Sequence, residues 1–335
     1  MPLAVRFHTL GGPEVLELEE VEVPPPGNGE VRIRTRALGL NRAEAMFRTG
    51  DYLDDPVLPQ GLGYEAAGVV ESIGPEVTGF SVGDAVSVIP AFKMTDYAVH
   101  GELVLAPARA VVKHPTHLSW EEAASIWMQF ITAYGGLIDL VGLRRGDVVV
   151  IQAASSSVGL AAIQIANMVG ARPIALTRTG AKRAQLMAAG ASAVIATQDE
   201  DITERLDELT GGVGVQVIFD PVGGPILTRL VEAAAAYANV IIYGALDDEP
   251  TQLPVLPLIG KRITIRGFNM FDVTWDPSRL ERAVTFVRDG LESGALKPTI
   301  DVVFELTEIV AAFKHLESNG QVGKVVITVP EVNAA

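Results

Sequence analysis

The chain reads Asp147-Val-Val-Val-Ile-Gln152, then Ala153-Ala-Ser-Ser-Ser-Val-Gly159, then Leu160-Ala-Ala-Ile-Gln-Ile-Ala166 without interruption. An apolar β-branched run, a turn of small residues and an alanine-rich amphipathic stretch predict a strand, a tight turn and a helix. Such a unit brings backbone N–H groups and the positive end of a helix to one point, where a pyrophosphate can bind.

The turn keeps only part of the dinucleotide-binding fingerprint G-x-G-x-x-G. In that fingerprint the first glycine makes the turn, the second admits the pyrophosphate and the third lets the helix pack closely on the strand. Ala154, Ser156 and Gly159 occupy these places, so only the third glycine is present. Taken alone, the turn fits a nucleotide site and an ordinary strand-to-helix connection equally well.

Length and composition predict a globular protein of two domains. The chain has 335 residues, which is too long for one ordinary hydrophobic core. Of these residues 48% are apolar and 20% charged, as is typical of a globular protein. The net charge of −15 opposes nucleic acid and anionic membranes as partners. A local basic cluster can still bind an anionic cofactor. The sequence has no run of about 18 apolar residues and starts like a strand rather than a signal peptide, so we expect a cytoplasmic protein without membrane contact.

The pattern along the chain predicts an α/β fold with a doubly wound parallel sheet inserted into a β domain. Residues 1–122 carry many short strand signals, which predict a β-barrel or an irregular β domain. Residues 123–260 alternate strands and helices, as in a Rossmann domain. The strands of this part are predicted over 147–152, 172–177, 192–196, 215–219 and 238–243. Residues 261–335 return to strands and one or two helices, and we expect them to complete the first domain.

Five further motifs follow one another in a characteristic order. They are Leu38-Gly-Leu-Asn-Arg-Ala-Glu-Ala-Met-Phe-Arg-Thr-Gly-Asp-Tyr52, Gly61-Leu-Gly-Tyr-Glu-Ala-Ala-Gly-Val-Val70, Gly83-Asp-Ala-Val86, Ile131-Thr-Ala-Tyr134 and Phe219-Asp-Pro-Val-Gly-Gly224. Together they resemble the medium-chain dehydrogenase/reductase superfamily, in particular its zinc-free quinone oxidoreductase and enoyl reductase branch. The resemblance implies a GroES-like catalytic domain, a Rossmann domain for a nicotinamide cofactor and an active site in the cleft between them.

The resemblance also implies that the chain holds no zinc. Zinc-dependent relatives place metal ligands at positions that align with Asn41, Tyr64 and Met128, and an amide, a phenol and a thioether are poor zinc ligands. Glu65 lies beside them in sequence, but one carboxylate does not hold zinc. The chain also contains no cysteine, which excludes disulfides, thiol catalysis and zinc sites built from sulfur.

The residues after the second Rossmann strand indicate NADPH as the cofactor. Enzymes that prefer NAD usually carry an acidic residue at the end of this strand, where it binds the ribose 2′-OH. Here Thr177 and Arg178 are followed by Lys182 and Arg183, with no acid among them. Cations suit a 2′-phosphate, so we predict that Arg178 and Lys182 contact it and that Thr177 also binds the cofactor. The alternative is that Lys182 and Arg183 form a solvated helix face.

The other predicted cofactor contacts come from the turn and from the resemblance. The hydroxyls of Ser156 and Ser157 can donate to phosphate oxygens, beside the backbone of Val158 and Gly159. The resemblance places Thr132, Gly244 and Asn269 near the nicotinamide. It places Lys324 near the end of the sheet.

The absence of a metal restricts the chemistry. Hydride transfer to a plain ketone develops alkoxide charge that zinc normally stabilises. Quinones and enones spread this charge and need only hydrogen-bond donors. The candidate donors are Asn41, Tyr52 and Tyr64, and Tyr64 fits a packing role equally well. The candidates for the apolar wall of a substrate pocket, which also fit a core role, are Phe92, Trp127, Met128 and Phe271.

We therefore expect an NADPH-dependent, zinc-independent oxidoreductase that reduces a small molecule, either a quinone or an α,β-unsaturated carbonyl compound. One alternative is an alcohol dehydrogenase or ketone reductase of the same superfamily. The other is an NADPH-binding protein without turnover, similar to the lens crystallins of this family. The segment Lys261-Arg-Ile-Thr-Ile-Arg-Gly-Phe268 is expected to be an edge strand that pairs with its twin in a homodimer.

Overall fold

The computed structural model describes residues 1–331. The strands are β1 (Leu3–Phe7), β2 (Leu16–Glu20), β3 (Glu30–Gly39), β4 (Gln60–Gly61), β5 (Glu65–Ile73), β6 (Ala85–Val88), β7 (Leu103–Pro107), β8 (Val111–Lys113), β9 (Val148–Ile151), β10 (Arg172–Thr177), β11 (Ala193–Ala196), β12 (Val215–Asp220), β13 (Ala234–Ile242), β14 (Thr264–Gly267), β15 (Ile300–Glu305) and β16 (Lys324–Thr328). The helices are α1 (Arg42–Thr49), α2 (Trp120–Ala123), α3 (Trp127–Tyr134), α4 (Ser157–Val169), α5 (Arg183–Ala188), α6 (Ile202–Thr210), α7 (Gly224–Glu232), α8 (Val255–Lys261), α9 (Phe271–Thr274), α10 (Pro277–Glu292) and α11 (Ile309–Glu317). Within residues 1–331, no helix is long and apolar enough to cross a bilayer.

The chain forms two compact units. Unit 1 consists of Met1–Met128 together with the segment that starts at Pro298, and unit 2 is Gln129–Lys297. Both boundaries lie later in the chain than those expected from the sequence, at 122/123 and 260/261. The second differs because β14 pairs in parallel with β13, with Asn239 opposite Thr264, and so extends the sheet of unit 2.

Unit 2 contains a six-stranded parallel sheet. Its strand order is β11-β10-β9-β12-β13-β14, and β9, the first of these strands in the chain, lies between β10 and β12. All four residues of β9 are buried, because helices cover both faces of such a sheet and an uninterrupted β-branched run suits that environment. This confirms the predicted doubly wound parallel sheet, and each of the five predicted strands is present.

Unit 1 contains two sheets. The larger has seven strands in the order β15-β16-β3-β5-β6-β8, with β7 also paired to β3, and the smaller has the order β2-β1-β4. The long strand β3 alternates buried and partly exposed residues over its first seven positions, as a sheet with one buried face requires. The end of β3 is followed closely by Asn41 and helix α1, so this strand positions Asn41, the first candidate site residue.

Candidate active site

The turn between β9 and α4 in unit 2 has the structure that a phosphate-binding turn needs. Ser156 is the N-cap of α4, and its Oγ accepts a hydrogen bond from the N–H of Gly159 at 3.0 Å. A Cβ on Gly159 would lie 2.6 Å from the Cα of Ala154, so only glycine allows the helix to approach the turn this closely. The one glycine that the fingerprint retains is therefore the one that the packing requires.

The start of α4 offers donors to an anion. The amides of Ser157 and Val158 lie in the first turn, where N–H groups have no acceptor within the helix. Because the Oγ of Ser156 accepts from Gly159, its own O–H proton is still available to donate. These groups fit a pyrophosphate at the N-terminus of a helix.

A lysine from the next βα unit reaches the same turn. The Nζ of Lys182 donates to the Oγ of Ser155 at 3.1 Å, so this ammonium group lies beside the turn. Arg178 follows Thr177, the last residue of β10, and its side chain is exposed. A cationic cluster thus lies where β10 ends, which fits a 2′-phosphate. Ser155 was not among the predicted residues, although its place in the turn pointed to it.

The other predicted residues of unit 2 lie in different settings. Thr132 is buried in α3. A Cβ on Gly244 would come within 2.7 Å of the carbonyl oxygen of Pro221, so the chain is closely packed after β13. The Oδ1 of Asn269 accepts from the N–H of Phe271 at 3.0 Å. The ring of Phe271 stacks on that of the exposed Trp275, with centroids 4.6 Å apart.

Two buried polar residues that the sequence did not reveal lie at the carboxyl ends of unit 2 strands. Asp220 ends β12, and its carboxylate accepts from the N–H groups of Val222 at 2.6 Å and Gly223 at 3.1 Å. Burial raises the pKa of Asp220, and the side chain of Gln152 at the end of β9 opposes part of that rise. Both residues lie at the same edge of the sheet as the turn, because all three follow the carboxyl ends of neighbouring parallel strands. Ligands bind at this edge of parallel sheets.

Aromatic rings form a continuous row in unit 1. Tyr64 lies between two of them, with ring centroids 6.5 Å from Tyr52 and 5.8 Å from Phe92. Tyr64 is only 1% exposed, whereas Tyr52 is partly exposed. The row continues to Phe47 beside Tyr52 and to Tyr97 beside Phe92. Three residues predicted for the site, Tyr52, Tyr64 and Phe92, are thus brought together in one aromatic row.

The two phenols of this row are coupled. Burial raises the pKa of Tyr52, and the neighbouring Tyr64 opposes part of the rise. Burial and the neighbouring Tyr52 raise the pKa of Tyr64. Both phenols are therefore protonated at neutral pH, and each can donate a hydrogen bond.

Asn41 lies in a buried polar cluster that uses all of its amide. Its Nδ2 donates to the carbonyl oxygen of Gly39 at 3.1 Å, to Glu44 Oε1 at 3.1 Å and to Glu65 Oε2 at 3.3 Å. Its Oδ1 accepts from the Nζ of Lys324 at 2.6 Å. Asn41 is 6% exposed. Because both atoms of this amide are hydrogen-bonded within the protein, the geometry favours Tyr52 over Asn41 as a donor to substrate.

Glu44 is another member of this cluster and was not among the predicted site residues. Its carboxyl group accepts from the N–H of Asn41 at 2.8 Å and from the N–H of Tyr64 at 3.0 Å, and burial raises its pKa to about 7. The buried His100 lies 3.6 Å away, and burial lowers its pKa to about 3, so it is neutral. The signal in the sequence was the Asn-x-x-Glu spacing at the start of α1, which is that of a capping box.

Glu65 joins the remaining members of the cluster. Its Oε1 accepts from the N–H of Met128 at 2.8 Å, and its Oε2 accepts from the Nζ of Lys324. The predicted cofactor residue Lys324 is thus 1% exposed and paired within unit 1. The positions that align with zinc ligands hold the engaged amide of Asn41, the phenol of Tyr64 and the thioether of Met128, and the carboxylate of the neighbouring Glu65 is engaged with protein groups. These donors do not fit zinc.

Comparison with known proteins finds matches for both units. Residues 27–116 match the family model of the alcohol dehydrogenase GroES-like domain, and residues 157–289 match the model named zinc-binding dehydrogenase. A quinone oxidoreductase of Pseudomonas aeruginosa is 30% identical over 329 residues, which are 98% of this chain and 99% of that protein. A 2-haloacrylate reductase of a Burkholderia species is 28% identical over 98% of this chain and 99% of its own length.

A solved structure extends the likeness to three dimensions. The crystal structure of Escherichia coli quinone oxidoreductase complexed with NADPH superposes with a TM-score of 0.87 at 28% identity, and the match covers 97% of this chain and 99% of that one. Similarity over nearly the whole length of both proteins includes both units and the motifs that connect them. The chain belongs to the medium-chain dehydrogenase/reductase superfamily, in its quinone oxidoreductase branch.

Proposed function

We propose that the protein is an NADPH-dependent, zinc-independent oxidoreductase that reduces quinones or α,β-unsaturated carbonyl compounds. The observation that carries this proposal is the Tyr52–Tyr64 pair, which lies against Phe92 where zinc-dependent relatives have a metal ligand. The names of the relatives from Pseudomonas aeruginosa and a Burkholderia species support the two substrate classes.

The side chains of unit 1 suit an acceptor whose charge spreads over a conjugated system. When bound, NADPH supplies the hydride. Tyr52 donates a hydrogen bond to the oxygen on which negative charge develops, and Tyr64 orients Tyr52 through the contact between their rings. Phe92 and Met128 are buried apolar side chains and stay the candidates for the wall of a pocket for a planar molecule.

The residues of unit 2 fit the cofactor. The first-turn amides and serine hydroxyls of α4 would hold the pyrophosphate, and Arg178 with Lys182 would hold the 2′-phosphate. The solved relative from Escherichia coli that contains NADPH supports this cofactor. Thr132, Gly244 and Asn269 stay predictions for the nicotinamide end.

The test is a steady-state assay of NADPH oxidation with a panel of quinones, enones and saturated ketones. We expect turnover of quinones or enones and none of saturated ketones, because Asn41, Tyr64 and Met128 do not suit a zinc ion that would stabilise a localised alkoxide. Oxidation of alcohols together with stoichiometric zinc would instead indicate an alcohol dehydrogenase. NADPH binding without turnover of any compound would indicate a cofactor-binding protein.

Two tyrosine variants test the roles within the reaction. Tyr52→Phe removes the donor and should lower kcat by about tenfold or more. Tyr64→Phe keeps the ring that contacts Tyr52 and removes only the Tyr64 hydroxyl, so we expect a smaller decrease. Both should leave the Kd for NADPH unchanged. If neither variant slows turnover, the proton donor is water or another residue.

We also propose that unit 1 forms a barrel and that the protein forms a homodimer. The bridge between Ala4 and Gly101, with the hydrogen bond from the N–H of Val5 to the carbonyl oxygen of His100, joins β1 to the segment that leads into β7 and supports the barrel that a GroES-like domain implies. The strand β14 lies at the edge of the six-stranded sheet, which supports a homodimer formed by pairing of two such strands.

A further inference from the structure

The carboxylate of Glu65 connects three separate parts of unit 1. Its Oε1 accepts from the N–H of Met128 in α3, and its Oε2 accepts from the Nζ of Lys324 in β16 and from Asn41 at the start of α1. All four residues are at most 9% exposed. Glu65 is also the residue after Tyr64, so its position affects the backbone that carries one of the two phenols.

Lys324 determines how Asn41 is oriented. Its Nζ binds Asn41 Oδ1 at 2.6 Å, which directs the amide nitrogen of Asn41 towards Glu44 and Glu65. Glu44 in turn accepts from the N–H of Tyr64 at 3.0 Å. A path of hydrogen bonds therefore runs from Lys324 through Asn41 and Glu44 to the backbone of Tyr64.

A buried ion pair of this kind is weak evidence for stability, because the loss of hydration opposes the attraction. Its effect lies in geometry, since charged groups in a buried site tolerate few arrangements. We propose that Glu65 and Lys324 are positioning residues for the reduction, which hold Tyr64, and through it Tyr52, in the orientation that serves the substrate. This inference rests on the proposed function.

The test replaces both charges together, so that neither is left alone in the interior. The variant is Glu65→Gln with Lys324→Met. We expect a decrease in kcat of about tenfold or more and a larger isotope effect with 4-deuterated NADPH, because a misaligned donor slows the chemical step. The Kd for NADPH, measured by fluorescence titration, should change by less than about twofold.

A matched control removes another ion pair that also involves a glutamate of β5. Arg32 and Glu71 join β3 and β5 through hydrogen bonds of 2.7 and 3.1 Å, near the other end of β5. The variant Arg32→Met with Glu71→Gln should keep kcat and the isotope effect of the parent, whatever its Tm. Equal losses of kcat in the two double variants would show a general effect of stability and would overturn the proposal.

Other outcomes also decide the question. A folded Glu65/Lys324 variant with the kcat and isotope effect of the parent overturns the positioning role. A raised Kd for NADPH at unchanged kcat also overturns it and shows that Lys324 binds cofactor.

If the double variant does not fold, Glu65→Asp keeps the charge but withdraws the carboxylate by one methylene, and full activity of that variant overturns the proposal. A parent without NADPH-dependent turnover overturns the proposed function and this inference together, whereas an active parent with insensitive variants overturns only the inference.

Discussion

Lys182 and Arg183 are neighbouring cations that the fold uses differently. Lys182 reaches Ser155 in the turn before α4, whereas Arg183 donates to Glu200 and to the carbonyl oxygen of Val194, both at 2.5 Å. The sequence left a solvated helix face as the alternative for both residues. The geometry of Arg183 indicates a structural ion pair, and the position of Lys182 favours a phosphate contact.

The double variant Arg178→Ala with Lys182→Ala tests this assignment. Two cations beside a 2′-phosphate stabilise NADPH but have no corresponding group on NADH. We expect the KM for NADPH to rise about tenfold or more, with a change of less than about twofold for NADH. Arg183→Ala is the control and should leave the ratio of the two KM values unchanged. Equal effects of the double variant on both cofactors would contradict the assignment.

Helix α4 begins where it does because of two small residues. Ser156 caps its first turn, and Gly159 permits an approach that brings a hypothetical Cβ to 2.7 Å from the carbonyl oxygen of Ala153. Only backbone atoms lie at this distance, so no side chain can rotate away. The donors for the pyrophosphate thus depend on the position of the whole helix.

The substitution Gly159→Ala should therefore be costly although it is small. Overpacking against backbone typically costs about 1–3 kcal/mol, and displacement of α4 should also weaken NADPH binding. Thermal unfolding and NADPH titration measure the two effects. Gly260→Ala in α8 is the matched control, because nothing lies within 4 Å of a Cβ at Gly260. Unchanged Tm and Kd in Gly159→Ala would show that the helix position is not critical.

The elements of unit 2 were predictable because their patterns are local. A β-branched run followed by small residues and a helix can be identified from neighbouring positions alone. The strand β14 was identified as an edge strand, but its sheet was not, because the choice between two sheets depends on which partner is nearby in space. Its pairing with β13 moved the second boundary.

At the scale of the whole molecule, unit 2 exposes apolar side chains on the helix that precedes its edge strand. Leu256 and Ile259 of helix α8, which shortly precedes β14, are 82% and 67% exposed. Exposed apolar side chains next to an open strand edge are typical of an interface. This surface supports the proposed homodimer.

We predict a dimer in solution that Leu256→Glu with Ile259→Glu converts to a monomer, because the new charges would be buried at the interface. Size-exclusion chromatography with light scattering measures the mass directly. Val213→Glu, at another exposed position of unit 2 (67% exposed), should remain dimeric. A monomeric parent at micromolar concentration would contradict the proposed pairing.

The sequence by itself determined the nucleotide-binding unit, the parallel sheet, the cationic residues after β10 and a set of side chains unsuited to zinc. These features depend on residue type and on spacing over a few positions. Only the tertiary structure decided how the polar side chains of unit 1 are used. Lys324 and Asn41 are 283 positions apart in the chain, and Lys324 and Glu65 are 259 apart. No local pattern encodes such contacts, because they form when β16 packs beside β3, and that packing turned a predicted donor and a predicted cofactor residue into members of one buried cluster.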